Sequence, residues 1–136
     1  MNMFEHTGTF TPDSLIASNE FPILKEGIGL KAGQGVLKRG SLIIKAATGG
    51  AGYIAGTKTG TGEDATDIPG KIFGILTDDT DTGSDATADN IPATCYQTGI
   101  FNPSAVIVTG EGETVNKYKD DMRGLSLFLR SVQDYE

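Results

Sequence analysis

The apolar residues of this chain come in short runs that glycine keeps interrupting, a pattern that excludes long helices and long flat sheets alike. Ile72–Leu76 reads IFGIL, Ser41–Ala46 reads SLIIKA and Gly52–Ala55 reads GYIA, each the length of one strand. A glycine inside a strand marks a bend or a close backbone approach. From Ile28 to Ala47 the chain reads as a meander: Ile28–Ala32 alternates, Gly33-Gln34-Gly35 turns, Val36–Lys38 is extended, and Arg39-Gly40 turns again before Ser41–Ala46. Strands punctuated in this way suit a small barrel, whose sheet must bend sharply. The 19 glycines and 7% aromatic content, without a collagen period, agree with a turn-rich β protein. A length of 136 residues fits one domain with a modest core.

Residues 1–24 break this pattern. Phe4, Phe10, Leu15, Ile16, Phe21 and Ile23 are scattered among Thr, Pro, Asn and Asp with neither a helical nor a strand period. Thr11-Pro12-Asp13-Ser14 is turn chemistry, and Phe21-Pro22 holds Phe21 extended. So many large apolar side chains without a period to bury them read as an interaction arm, with a frayed terminus as the bland alternative. The binding candidates are Phe10, Pro12, Leu15, Ile16, Phe21, Pro22 and Ile23. The predicted organisation is an extended arm over 1–24 and one β-rich domain over 25–136.

The last third runs strand, acidic loop, strand, short helix, second helix, strand. Ile72–Leu76 leads into Thr77–Asn90 (TDDTDTGSDATADN), and Ala93–Phe101 returns as a strand. Asn102-Pro103 pairs an N-cap with proline at the first helical position, predicting a helix over 103–108, although its β-branched residues oppose it. Thr114 is predicted to cap a helix over 115–123 that Gly124 ends, with Leu125–Leu129 as the closing strand. The fold class is therefore mainly β: a small glycine-rich β-barrel or β-clip-like domain with two short helices near the C-terminus.

Charge and motifs exclude most chemistry. The net charge of −7 is concentrated in residues 46–90, which hold two Lys/Arg against eight Asp/Glu. Such a surface repels a phosphate backbone, so no nucleic-acid partner is expected. No apolar run approaches the ~20 residues of a membrane span, and residues 1–12 lack the pattern of a signal peptide. The chain reads as a soluble protein made in a reducing cytoplasm. Cys95, the lone cysteine, reads as a small buried hydrophobe, since no neighbouring base would lower its pKa. His6, the lone histidine, cannot complete a zinc site with Cys95 or a Ser–His–Asp triad. Gly49–Gly52 and Gly60-Thr61-Gly62 open no helix and carry no Lys-Ser/Thr, so a phosphate loop gives way to flexible turns. Asp78, Asp79, Asp81, Asp85 and Asp89 invite a calcium loop. Counting from Asp79, however, position 5 is Gly83 and position 12 is Asn90, leaving a solvated acidic loop as the expectation. No cofactor, metal or catalytic residue is expected.

The wording GILTDD (74–79), YQTGIFNPSAVIV (96–108) and KYKDDMRGLSLFL (117–129), in that order of elements, resembles the head decoration proteins of lambda-like tailed phages. The resemblance spans residues 70–130, and its motifs are structural rather than catalytic. It implies a compact, mainly β body, a homotrimer, and a non-enzymatic cementing role on the outer surface of the mature capsid after synthesis in the host cytoplasm. It also implies an N-terminal arm that orders on the major capsid protein, the partner expected for the arm residues above. Two stretches depart from the family pattern: the glycine-rich loop over 48–70 is long, and Met1–His6 matches no family motif. Two other classes remain as alternatives. A trimeric dUTPase-like nucleotide hydrolase would need basic residues beside the acids for a triphosphate, and no such motif is present. A phage tail or host-surface binding domain would need an aromatic-lined site, yet the chain has no Trp and its tyrosines are scattered.

Overall fold

In the computed structural model, residues 15–18, 21–59, 66–85, 87–109 and 114–130 are described. The strands are β1 (Ile16–Ser18), β2 (Lys25–Leu30), β3 (Val36–Leu37), β4 (Leu42–Ala46), β5 (Gly52–Ile54), β6 (Lys58–Thr59), β7 (Thr66–Asp67), β8 (Gly70–Leu76), β9 (Thr80–Asp81), β10 (Ile91–Tyr96), β11 (Gly99–Phe101) and β12 (Leu127–Leu129). Five of them close a barrel in the order β10-β2-β5-β4-β8, and β1-β11-β12 form a second sheet. The mainly β barrel expected from the glycine-punctuated runs is the observed architecture.

Two cores follow from strand alternation. Ile43, Leu76 and Cys95 point into the barrel with Leu30 and Leu37, while their neighbours Leu42, Ile75 and Tyr96 point outward. The outward set packs against Phe101, Leu127, Met122, Tyr118 and Leu15 in a larger cluster. The barrel interior is tight at Gly52, where a Cβ would lie 2.9 Å from Leu30 and 3.1 Å from both Ile28 and Ile43. A side chain there would have to push those methyl groups aside.

The seam between β2 and β5 is thin, with one paired position, Leu30 opposite Gly52. A side chain reinforces it. Gln34 Nε2 donates to the carbonyls of Lys31 (2.8 Å) and Gly52 (3.0 Å), and Gln34 Oε1 accepts the Ile54 N–H at 3.0 Å. The Gln34 N–H in turn donates to the Thr82 hydroxyl, which donates to the Gly35 carbonyl. Gln34, read from sequence as the middle of a turn, closes the barrel.

Several local expectations are corrected. The strand predicted over 93–101 divides in two at Gln97-Thr98, because Gly99 takes a φ of 144° and turns the chain from the barrel into the second sheet. The helix predicted over 103–108 shrinks to a 3-10 turn at Pro103–Ala105. Asn102 does cap that turn, accepting the Ser104 N–H, but Val106 is already extended and Ile107 bridges Ser41. The β-branched run prefers the sheet environment. The second helix exists as a 3-10 segment, Val115–Tyr118, continuing into α1 (Lys119–Gly124). Thr114 occupies its N-cap without a side-chain hydrogen bond, and the left-handed residue after it is Ser126 (φ 67°), not Gly124. The acidic and glycine-rich loops also hold short ladders, β3 with β9 and β6 with β7.

Candidate functional site

Of the arm residues singled out from sequence, Phe10 and Pro12 lie outside the described residues, as do Phe4 and His6. The rest are fixed to the body. Leu15 is 1% exposed in the larger core, and its carbonyl accepts the Asn102 N–H at 2.8 Å. Ile16 stands opposite Phe101 in the antiparallel pairing of β1 with β11. The Phe21 ring meets Phe128 edge-on, with centroids 5.2 Å apart. The Pro22 carbonyl accepts the Thr98 hydroxyl at 2.7 Å, and Ile23 packs against the larger core. The expectation that these side chains lack an internal partner is corrected. They show no period because they dock on several elements, the end of β11, β12 and the 97–98 turn.

The acidic loop uses its carboxylates as local caps. Asp79 Oδ1 accepts the Arg39 N–H at 2.7 Å, and its other oxygen lies 3.7 Å from the Lys38 ammonium. Asp81 accepts the Gly83 N–H, while Asp85 accepts both the N–H and the hydroxyl of Thr87. Those bonds from Thr87 hold the Asp85 carboxyl below its ordinary range. Asp81 and Asp85 each close a local turn, and among the described residues no three metal-ligating side chains come together. Gly49 and Gly50, the described part of the glycine-rich stretches with positive φ, make the turn between β4 and β5. Cys95 is fully buried in the barrel, where desolvation pushes its thiol up to about 12. Such a thiol is protonated and unreactive at neutral pH.

Beside the acidic loop, Arg39 ties three elements together. Its Nη1 donates to the Thr77 carbonyl at 2.9 Å and to the Tyr96 hydroxyl at 2.7 Å. The guanidinium carbon lies 5.5 Å from the Tyr96 ring centroid. This network locks the end of β8 to β10 and to the turn before β4.

An apolar groove not legible from the sequence runs along β8. It joins a cavity of about 310 Å³ lined by Ile44, Ile72, Tyr118 and Leu125, with Lys71 and Asp121 also on its wall, to one of about 230 Å³ lined by Leu24, Phe73, Gln97 and Thr98. Ile72 and Leu125 line both. Leu24 and Leu125 stand on its rim, 61% and 45% exposed. Sequence alone could not reveal this groove, because its walls come from residues 24, 44, 70–73, 97–98, 118, 121 and 125. No protein-family model matches the chain, and no curated protein matches it either.

Proposed function

We propose that this chain is a head decoration protein of a tailed phage, a trimer that binds the outside of the expanded capsid and stabilises it without catalysis. The observation that supports this reading most is how the N-terminal segment joins the body. β1 adds to β11, the strand built from the Gly99-Ile100-Phe101 part of the resemblance, and buried Leu15 anchors it there. The fourteen residues ahead of Leu15, with Phe4 and Phe10, are thereby tethered at a fixed point on each body.

In this reading the binding segment is shorter than the whole arm. Leu15, Ile16, Phe21 and Ile23 serve as anchors, and Phe10 and Pro12 are the capsid contacts. Each segment adds main-chain hydrogen bonds to an edge of the capsid protein and seats apolar side chains in pockets. Burying Phe10 and one further large side chain contributes about 1.5–3 kcal/mol each before ordering entropy is subtracted. Three tethered copies raise the effective concentration, so weak single contacts combine into firm attachment. The shell is stabilised by mass action, because the trimer binds the assembled lattice and not its separated subunits. Sedimentation equilibrium at micromolar concentration is expected to give three chains per particle, and expanded heads are expected to resist heating better once decorated. A monomer, or Mg²⁺-dependent triphosphate hydrolysis, contradicts the reading.

A further inference from the structure

We infer that the first half of β8 is an acceptor edge for an extended peptide strand whose apolar side chains alternate with carboxylates. The inference is independent of the arm-mediated binding proposed above and concerns a different face of the body.

The barrel is only partly zipped along β8. β10 pairs with it at two positions, Cys95 opposite Leu76 and Tyr96 opposite Ile75, while β4 pairs down to Gly70. From Gly70 to Gly74, β8 has no strand partner on the β10 side among the described residues. The Ala47 N–H donates to the Pro69 carbonyl, so by ladder alternation Gly70 and Ile72 direct their backbone groups away from β4. At Phe73 the register slips, and the Gln97 side-chain amide reaches the Phe73 carbonyl at 3.4 Å, a long bond where a strand N–H would sit. An unpaired edge of this kind is a template for strand addition.

The two faces of that edge differ, and the difference selects the occupant. On one face Ile72 lies opposite Ile44, and the apolar groove with exposed Leu24 and Leu125 opens beside them. On the other face Lys71 lies directly opposite Lys45, both exposed. Neither ammonium has a salt-bridge partner among the described residues, although the chain carries a net charge of −7. Like charges directly opposed across strands are unfavourable, and a carboxylate on a strand added to the other side of β8 stands beside Lys71 and offsets that repulsion. An added strand therefore meets apolar surface with one set of side chains and the Lys71 ammonium with the other. A second copy of this acidic chain is the poorer occupant on charge, and the partner is a protein segment of alternating apolar and acidic residues.

The test titrates the ¹⁵N-labelled full chain with a blocked Val-Glu-Val-Glu-Val-Glu peptide, with a Val-Lys counterpart as control. The expected result is movement of the Gly70 and Ile72 amide signals and the Gln97 side-chain signals, with the acidic peptide at least tenfold tighter. Lys71→Glu, an exposed substitution that leaves the fold intact, is expected to reverse that order. N-methylating alternate peptide residues is expected to abolish binding, since the ladder loses its donors. Absent binding, equal binding of both peptides, or undiminished binding of the N-methylated peptide overturns the inference. Movement of the same signals with protein concentration alone assigns the edge to a second copy and also overturns it. Every arm is read on the free protein, so failure here is distinct from failure to bind heads.

Discussion

Gln34 Oε1 accepts the backbone N–H of Ile54 at 3.0 Å, so a side chain stands in for a strand at the weakest seam of the barrel. Replacing Gln34 with Ala takes the partner from the Ile54 N–H, while the Gly52 carbonyl keeps the Lys31 N–H. The expected loss is about 1–3 kcal/mol, at the scale of one group left unpaired on desolvation. Urea unfolding checks it; a loss under about 0.5 kcal/mol would show that water replaces the amide.

Leu15 is predicted to behave as a core residue even though it sits near the chain's beginning. Leu15→Ala is expected to cost about 2–4 kcal/mol, the range for a buried leucine whose cavity cannot collapse. Thermal or urea unfolding of the variant measures it. A near-neutral result would place Leu15 with the residues ahead of it rather than with the body.

Cys95 predicts a pH dependence with a definite sign. Its folded pKa is raised by burial from an ordinary value near 9.0 to about 12. The unfolded chain therefore loses the thiol proton first. The contribution is intact below pH 9 and declines as pH rises from there toward 12, by up to about 1.4 kcal/mol per unit. Comparing wild type with Cys95→Ala between pH 8 and 10.5 isolates this slope, which the variant should lack. A thiol reagent is expected to label Cys95 only after denaturant is added; fast labelling in native buffer contradicts the burial.

The strand runs were legible because period-two alternation and local turn chemistry are properties of neighbours in sequence. IFGIL, SLIIKA and GYIA became β8, β4 and β5 with shifts of a residue or two at their ends. What escaped was set by distant partners. Val106–Val108 gave up a helix because Ile107 bridges Ser41, and Gly99 split a strand that looked continuous. Leu15 appeared unpartnered because its neighbours in space come from the other end of the chain. The groove beside β8 was illegible for the same reason: Leu24, Ile72 and Leu125 meet only in the fold.

The central claim is tested most directly by offering the full chain and a chain starting at Leu15 to undecorated, expanded heads of a lambda-like tailed phage. Starting at Leu15 retains the buried anchor and β1, so the truncated body is expected to keep its melting temperature. Co-sedimentation then counts the copies bound per head. The account predicts saturation by the full chain in multiples of three and at least a hundredfold weaker binding by the truncated one. Absence of binding by the full chain contradicts the decoration reading itself, and full occupancy by the truncated chain contradicts the assignment of binding to the residues ahead of Leu15.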